Sequence, residues 1–333
     1  MKVKIGDLTK IKTGKLDANA SSEDGQYPFF TCSKEPLKIS TYSYDCECVL
    51  VAGNGDLNVK YYNGKFDAYQ RTYIIEDNGG GKLYMPYLYY FMEGYIEELR
   101  KQAIGGVIKY IKLANLTDAL IELPSAEEQK AIVDILEKAK GILDKRNAEI
   151  GSLDNLIKAR FVELFGDVKY GVDRWGGKIF KNITINLDSG RKPVKDEDRK
   201  KMQGIYPYYG ATGIVDYVND YRQEGEFLLI SEDGKALELR SKPIAFLASG
   251  KIWVNNHAHV QQCTDECNII YLMYHINLMD ISVWVTGIDQ KKLNRANLDT
   301  IPIALPPIEL QNQFATFVKQ VDKSKFVEIT ALP

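Results

Sequence analysis

Hydrophobic residues recur every seven positions in the middle of the chain, between residues 125 and 165. The stripe and its flanking apolar residues are Ile132, Leu136, Leu143, Ile150, Leu153, Ile157 and Leu164. A heptad repeat predicts a helix that packs against a second helix as in a coiled coil. At a rise of 1.5 Å per residue such a helix is about 60 Å long, too long to be buried in one small domain. We therefore expect it to bridge two domains.

The segments on either side of this helix are rich in Tyr, Val and Ile and are interrupted by Gly, Asn and Asp. This pattern is typical of short strands joined by tight turns. The strands are expected at 47–51, 71–76, 226–231 and 257–262, and packed helices at 85–104 and 268–284. Each flanking segment is therefore predicted to be α+β, with a mixed β-sheet and helices against it.

The two flanking segments carry the same landmarks in the same order, about 180 residues apart. The clearest pairs are Tyr27-Pro28-Phe29-Phe30 with Tyr206-Pro207-Tyr208-Tyr209, and Leu123-Pro124 and Gln129 with Leu305-Pro306 and Gln311. The repeat predicts two tandem, similar domains. The expected boundaries are 1–123 for the first domain, 124–165 for the long spacer helix, 166–305 for the second domain and 306–333 for a second helix.

The second helix begins after Pro307 in the same way as the first begins after Pro124. Its apolar face is expected to contain Phe314, Phe317, Val318 and Val321. It is predicted to be a truncated copy of the spacer helix, which would leave the far part of that helix without an intramolecular partner.

The charge of the chain is close to zero, with 43 basic and 45 acidic residues. Each segment is also near neutral, because 1–123 has 15 basic and 16 acidic residues, 124–165 has 7 and 8, and 166–333 has 21 of each. Bulk charge therefore does not predict nucleic-acid binding. Affinity for DNA would require the cations to be clustered on one face.

No apolar run approaches the roughly 18 residues of a membrane span, so no membrane partner is predicted and the expected location is the cytoplasm. The five cysteines are an odd number, and no disulfide framework is expected in a reducing compartment.

Two tandem domains, each closed by Leu-Pro and a helix that begins near a glutamine, resemble the DNA-specificity subunit of type I restriction–modification systems. The junction Phe161-Val162-Glu163-Leu164-Phe165-Gly166-Asp167, followed by Trp175, is similar to this family's passage from its first conserved helix into its second target-recognition domain. The resemblance covers nearly the whole chain.

The resemblance implies that each domain reads one half of a split double-stranded DNA target, while the two helices pack antiparallel and set the distance between the halves. It further implies that adenine methyltransferase subunits dock on the helices and bring in a restriction or translocase subunit. This chain would then be non-catalytic and without a cofactor. The incompletely paired spacer helix would also allow a homodimer.

Candidate DNA-contacting residues are cations beside glycines, which suit phosphates, and side chains with paired donors and acceptors, which suit base edges. In the first domain they are Lys12, Lys15, Tyr27, Tyr61, Gln70, Arg71, Lys109 and Tyr110. In the second domain they are Arg191, Lys192, Tyr206, Tyr209, Asn255, Asn256, His257, Lys291, Lys292 and Arg295. The alternative is that the lysines form a solvated face and the tyrosines pack in the core.

Three alternative interpretations are less favoured by the residues. A nuclease or methyltransferase fragment is disfavoured because the chain has no Asn/Asp-Pro-Pro-Tyr/Phe motif and its acidic runs, such as 196–198, resemble solvated loops. An assembly protein that binds two protein partners without DNA would fit the repeat. A zinc site is not predicted, because the spacing of His257, His259, Cys263 and Cys267 fits no standard finger.

Overall fold

The computed structural model describes residues 1–288 and 290–330, with the side chains of 326–330 left out. The chain divides into two compact units, Met1–Lys145 and Arg146–Pro333, and the division falls inside the long helix. In the part of the chain that is described, no helix is both long and apolar enough to cross a membrane.

The first unit is built on a curled sheet of six strands. Its elements are β1 Lys2–Lys4, α1 Ile5–Leu8, β2 Thr9–Thr13, β3 Tyr27–Phe30, β4 Leu37–Ile39, β5 Tyr44–Ala52, β6 Val59–Ala68, β7 Thr72–Asp77, α2 Met85–Gln102, α3 Leu113–Thr117, β8 Leu120–Glu122 and the start of α4 Ala126–Phe165. The strand order is β2-β7-β5-β6-β3-β4, and only β3 and β6 pair in parallel within it.

The second unit repeats this plan. Its elements are α5 Gly171–Trp175, β9 Gly177–Ile179, β10 Thr184–Asn186, α6 Asp196–Arg199, β11 Gln203–Gly210, β12 Gly213–Val218, β13 Gln223–Ser231, α7 Lys235–Leu239, β14 Ala245–Val254, β15 Ala258–Cys263, α8 Ile269–Leu278, α9 Arg295–Asp299, β16 Pro302–Ala304 and α10 Ile308–Thr330. The order β10-β15-β13-β14-β11-β12, with β11 and β14 parallel, matches the first sheet strand for strand. The predicted tandem α+β repeat is confirmed.

The central strands are apolar on both faces because both faces are covered. In β5, Val49 and Val51 point toward α2, whereas Cys48 and Leu50 point into the interior of the curled sheet. In β13, the same alternation sends Leu228 and Ile230 to the helix side and Phe227 and Leu229 to the interior. Continuous apolar runs in these strands are therefore required by the two-sided burial.

The helix predicted over 268–284 is shorter in the structure. α8 ends at Leu278, and Ser282–Trp284 forms a separate 3₁₀ turn. The guanidinium of Arg240 donates to Asn277 O at 2.8 Å and to Met279 O at 3.0 Å. These bonds satisfy carbonyl groups that a continuing helix would have bonded itself, so they stabilise the end of α8.

The repeated glutamine of the Leu-Pro landmark anchors the N-terminus of each packed helix. Gln129 is fully buried, its Oε1 accepts from Tyr84 N at 2.8 Å, and its Nε2 donates to Lys82 O at 2.8 Å and Pro124 O at 3.0 Å. Gln311 makes the equivalent bonds to Asn268 N, Glu266 O and Pro306 O, at 2.9, 3.2 and 2.8 Å. Because Tyr84 and Asn268 cap α2 and α8, the glutamine fixes where α4 or α10 leaves its domain.

In the second unit, α10 packs along the C-terminal part of α4. Phe161 of α4 is at the centre of this contact, with ring centroids 5.3 Å from Phe314, 4.8 Å from Phe165 and 5.6 Å from Tyr271 of α8. Of the predicted interface residues, those that belong to or pack against this core are Leu153, Ile157, Leu164, Phe314, Phe317, Val318 and Val321. The heptad pattern missed Phe161 and Phe165, which are larger and almost completely buried.

The N-terminal part of the predicted stripe has a different environment. Ile132 and Leu136 are each 37% exposed and Leu143 is 56% exposed, while Ile150 is half-buried. In the first unit, Val133 is the apolar residue of α4 that is buried. The helix therefore presents an exposed apolar face between Ile132 and Leu143.

Candidate nucleic-acid interface

Several loops of the first unit meet through backbone hydrogen bonds, and we call residues 14–16, 53–55, 69–71 and 105–110 the first loop cluster. Gln70 N donates to Leu16 O at 2.9 Å, and Gly53 N donates to Arg71 O at 2.8 Å. Gly55 N donates to Lys109 O at 3.0 Å. These bonds bring together Lys15, Gln70, Arg71, Lys109 and Tyr110, which are far apart in sequence.

Glycine permits this convergence at two points. A Cβ at Gly14 would lie 2.1 Å from Ala68 O, and a Cβ at Gly53 would lie 2.3 Å from Arg71 O. Since real Cβ atoms do not approach backbone oxygen so closely, any other residue would force the loops apart. Close packing of one backbone segment on another therefore explains why glycine occupies these turns.

The cations of the first loop cluster are available for an anion. Lys15, Arg71 and Lys109 are exposed, and within the described residues they form no ion pair. Gln70 and Tyr110 are exposed beside them. The neighbouring carboxylate of Asp56 is bound by Arg100 at 3.1 Å. This surface combines free positive charge with an amide and a phenol, the groups that contact phosphates and base edges.

The remaining candidates of the first domain lie outside this cluster. Lys12 on β2 pairs with Glu76, and its ammonium lies 4.9 Å from the centre of the Tyr44 ring. Tyr27 packs its ring 4.9 Å from Tyr42. Burial and a 2.7 Å hydrogen bond to Glu47 raise the pKa of Tyr61. These side chains are engaged within the domain.

The second unit forms an equivalent second loop cluster from residues 188–192, 231–234, 255–257, 286–288 and 290–293. Lys192 N donates to Val254 O at 3.0 Å, Glu232 N donates to His257 O at 2.9 Å, and Leu293 N donates to Glu232 O at 2.8 Å. The last bond matches the bond from Ile111 N to Gly53 O, 2.9 Å, in the first unit.

Asp188 is the centre of a buried charge network in the second loop cluster. Its carboxylate accepts from Val260 N and from His259 Nδ1, both at 2.7 Å, and lies 3.3 Å from Arg191 Nη2. Burial raises the pKa of the Asp188 carboxyl, but the hydrogen bonds from His259 and Val260 and the nearby positive charges outweigh it, so the pKa lies below its ordinary value. Asp188 is therefore held ionised.

Glu232 extends the network to the predicted cations. Its carboxylate is 2.6 Å from Arg191 Nη1 and 2.9 Å from Lys292 Nζ. Burial raises the pKa of Glu232, but these two cations outweigh it and the pKa is lowered. Arg191, which is mostly buried, and Lys292, which is half-exposed, are thus paired with carboxylates of their own domain. Sequence reasoning did not connect Asp188 and Glu232 to these two cations. The three-residue spacing of Asp188 and Arg191 was the sequence feature that could have indicated their ion pair.

The second-domain residues that were predicted to contact bases differ in exposure. Asn255 is buried and its Oδ1 accepts from His257 N at 2.8 Å, so it shapes the turn. Asn256 and His257 are exposed. The Nδ1 atom of His257 is 2.8 Å from Asp233 Oδ2, which orients the imidazole and leaves its other nitrogen at the surface.

The other second-domain candidates are placed as follows. Within the cluster, Lys192 is exposed and Lys291 is half-buried. Tyr206 packs 5.2 Å from Tyr221, and Tyr209 is in the interior core of the sheet. Arg295 begins α9 and pairs with Asp299. Within the described residues, no group of His, Cys, Asp and Glu side chains is arranged to hold a metal ion.

The two clusters therefore share their backbone plan but differ in charge. The first presents free cations, whereas the second balances Arg191 and Lys292 against Asp188 and Glu232 and leaves Lys192 exposed. The two surfaces are therefore equivalent in backbone and different in the side chains they present.

Comparison with known proteins finds relatives that are specificity proteins of type I restriction systems. The profile described as type I restriction modification DNA specificity domain matches residues 1–151 and 182–331. The EcoDI specificity subunit of Escherichia coli, a type I restriction enzyme subunit, is 39% identical over 156 residues, which are 47% of this chain and 34% of that protein. The matched part is thus about a third of that relative's length.

A protein of Methanocaldococcus jannaschii, the type I restriction enzyme MjaVIII specificity subunit, is 23% identical and covers 96% of this chain and 85% of its own length. The crystal structure of the S subunit of a type I restriction-modification system from M. genitalium has a TM-score of 0.63 at 17% identity, covering 98% of this chain and 90% of that one. This structure has the same fold. Since the profile matches most of the sequence, this chain belongs to the family of type I restriction-modification DNA specificity proteins.

Proposed function

We propose that this chain is the sequence-specificity subunit of a type I restriction–modification complex, in which each unit reads one half of a bipartite double-stranded DNA target. The two recognition domains are 1–123 and 166–305, and the helical segments are 124–165 and 306–333. The chain carries no catalytic residues of its own and acts in the cytoplasm. Methylation of adenine and DNA cleavage are performed by its partners.

The observation that carries this proposal is the duplication of one surface. Both units have the same strand order. In both, a hydrogen bond joins the turn that follows the equivalent strand, β5 or β13, to the end of a hairpin loop. This bond runs from Ile111 N to Gly53 O in the first unit and from Leu293 N to Glu232 O in the second. A single DNA site would need one such surface. Two copies with different side chains fit a target of two unlike halves.

The exposed face of α4 supports a docking role for the methyltransferase subunits, through which a restriction or translocase subunit would join. Its exposed aliphatic residues are Ile132, Ile135, Leu136, Ile142 and Leu143. An exposed apolar surface of this kind marks a protein interface. A second copy of the chain is the other candidate occupant, and the mass of the purified chain in solution distinguishes a dimer from a monomer.

The spacing role predicts the result of shortening α4. Deleting residues 139–145, which are mostly exposed, removes seven residues and preserves the heptad register. The helix shortens by about 10 Å, so the gap between the two methylated half-sites should shrink by about three base pairs. Methylome sequencing of cells that carry the wild-type or the deleted gene measures this gap.

Gly141→Ala is the matched control, because it lies in the same segment and a Cβ there meets nothing within 4 Å. It should leave the methylated motif unchanged, and loss of the gene should abolish the motif. An unchanged gap in the deletion strain would refute the spacing role. A methylome identical with and without the gene would refute the specificity function itself.

The free cations of the first loop cluster predict a specific change in salt dependence. In the complex with its methyltransferase subunits, Arg71→Ala with Lys109→Ala should reduce the slope of log affinity against log salt by up to about 2, because each lost phosphate contact contributes about 0.9. Filter binding or fluorescence anisotropy with random duplex from 50 to 200 mM salt measures it.

The control is Lys38→Ala, an exposed cation on β4 that belongs to neither loop cluster. It should leave the slope at the wild-type value. Equal slopes for the double variant and the wild type would show that the first loop cluster does not contact phosphates.

A further inference from the structure

Each unit carries a hairpin loop of the same construction beside its loop cluster. In the first, Ile104 and Tyr110 exchange hydrogen bonds of 3.0 and 2.9 Å around residues 105–109, which we call the first tip loop. In the second, Thr286 and Lys292 exchange bonds of 2.9 and 2.7 Å, and we call the described residues between them, 287–288 and 290–291, the second tip loop. Asp289 lies outside the described residues. The two loops are equivalent in the repeat.

Glycine sets the turn at the same position of both loops. Gly105 has φ of 116° and Gly287 has φ of 98°, a region that L side chains rarely adopt. A Cβ would lie 2.7 Å from Ile108 O in the first tip loop and 2.1 Å from Gln290 O in the second. The equivalence therefore includes the backbone conformation of the glycine that begins each loop.

The tips present aliphatic side chains to water. Val107 is fully exposed, Ile108 is 63% exposed and Ile288 is 95% exposed. Turns usually carry polar residues or glycine, so aliphatic side chains at both equivalent tips call for a reason. Such exposure contributes nothing to the stability of the domain, because no apolar surface is removed from water. Adjacent exposed aliphatic side chains at one tip, matched by an exposed isoleucine at the equivalent tip, fit a surface that contacts another molecule.

The charges around the first tip favour DNA as that molecule. Lys109 is part of the loop, and its carbonyl is bonded to Gly55 N. Gly53, on the same turn, donates to Arg71 O, so the exposed cations Arg71 and Lys109 belong to turns that adjoin the apolar tip. A phosphate backbone complements these cations, and a groove between the phosphates then faces the tip.

We propose that the tip loops enter the major groove and that Val107 and Ile108 in one half-site, and Ile288 in the other, contact thymine methyl groups. These side chains have no hydrogen-bonding group, so they cannot read donors or acceptors. The C5-methyl of thymine is the apolar feature of the major groove. The inference deepens the proposed function and rests on it, because it assigns a base class to the same surface.

The test uses the chain in complex with its methyltransferase subunits and a duplex that contains the methylated motif. Val107→Ser with Ile108→Ser should weaken binding to this duplex by about fivefold or more, as expected for loss of a specific base contact. Affinity for random duplex and its salt slope should not change, because no charge is removed. Leu120→Ser, which replaces a 52% exposed residue on β8, is the control and should bind as the wild type does.

Uracil in place of thymine then identifies the contact, because it removes only the methyl group. At one position or more of the first half-site, uracil should weaken binding of the wild type and leave the double variant unaffected. Ile288→Ser should show the same dependence in the second half-site. Thermal unfolding of the variants should match the wild type, because these side chains are exposed.

Uracil substitutions whose effects are the same in wild type and variant would overturn the proposal. Increased fluorescence of 2-aminopurine on binding of the wild type, lost in the double variant, would also overturn it, since this would indicate a wedge that unstacks bases. Absence of specific binding by the wild-type complex would overturn the proposed function as well. Normal wild-type binding with unaffected variants would overturn the tip inference alone.

Discussion

Replacement of Phe161 with alanine is expected to destabilise the second unit by about 3–5 kcal/mol, the usual cost of removing a buried phenylalanine. Phe161 is 1% exposed and joins α4, α8 and α10 through contacts with Tyr271 and Phe314. All of the tryptophans, at 175, 253 and 284, belong to the second unit. Tryptophan fluorescence during urea unfolding of the whole chain therefore reports on this unit alone.

Val162→Ala is the matched control on the same helix. Val162 is 52% exposed, and its truncation should change the free energy of unfolding by less than about 0.5 kcal/mol. A Phe161→Ala variant as stable as the control would show that α4 is not held to the second domain by this aromatic cluster.

The charge network of the second loop cluster predicts acid sensitivity and a large mutational effect. Asp188→Ala leaves the buried His259 ring and Arg191 without their shared carboxylate, which should cost about 3–5 kcal/mol. The pKa values of Asp188 and Glu232 lie below their ordinary values of 3.8 and 4.5. Their stabilising effect is therefore complete above these values and is lost as the pH falls through the lowered pKa values.

Urea unfolding followed by tryptophan fluorescence, from pH 7 to pH 3, measures both effects. The wild type should lose stability progressively below about pH 4.5, and Asp188→Ala should lose less over the same range because one of the titrating groups is gone. Asp265→Ala, an exposed carboxylate, is the control and should follow the wild-type curve. Parallel pH profiles for wild type and Asp188→Ala would contradict the assignment of the network as a source of stability.

The two loop clusters keep one backbone arrangement while their side chains differ. Lys109 and Tyr110 in the first unit occupy the places of Lys291 and Lys292 in the second. Gly53 and Asn54 likewise correspond to Glu232 and Asp233, as the bridges from Asn54 to Tyr110 and from Asp233 to Lys292 indicate. The residues at these turns differ in charge between the two units, whereas the central strands β5 and β13 stay apolar in both.

The fold was largely predictable because it is specified by local pattern. The heptad stripe predicts α4, and the repeated Leu-Pro landmarks locate equivalent glutamines that are buried in both units. The end of α8 was not predictable, because it depends on Arg240, which is distant in sequence. The heptad pattern likewise assigned one face to all of α4, although the residues near Ile132 and those near Ile157 have different environments.

The candidate site was predictable in composition and less so in arrangement. Gly-flanked Arg71 and Lys109 were recognised from sequence and are brought together by the fold. Tyr209 of β11 and Asn255 of a turn were also selected but are buried. The residue type alone does not show whether such a side chain faces the core or the solvent.

The sequence by itself determined the duplicated α+β architecture, the long helix and the family, because repeats, periodicity and turn residues are local or ordered along the chain. The tertiary structure decided which charges are free to meet a ligand. Arg191, Glu232 and Lys292 neutralise one another across about 100 residues of sequence, whereas Lys15, Arg71 and Lys109 meet without an acidic partner in the part of the chain that is described. Charge pairing depends on distances of a few ångströms, and only the folded chain sets these.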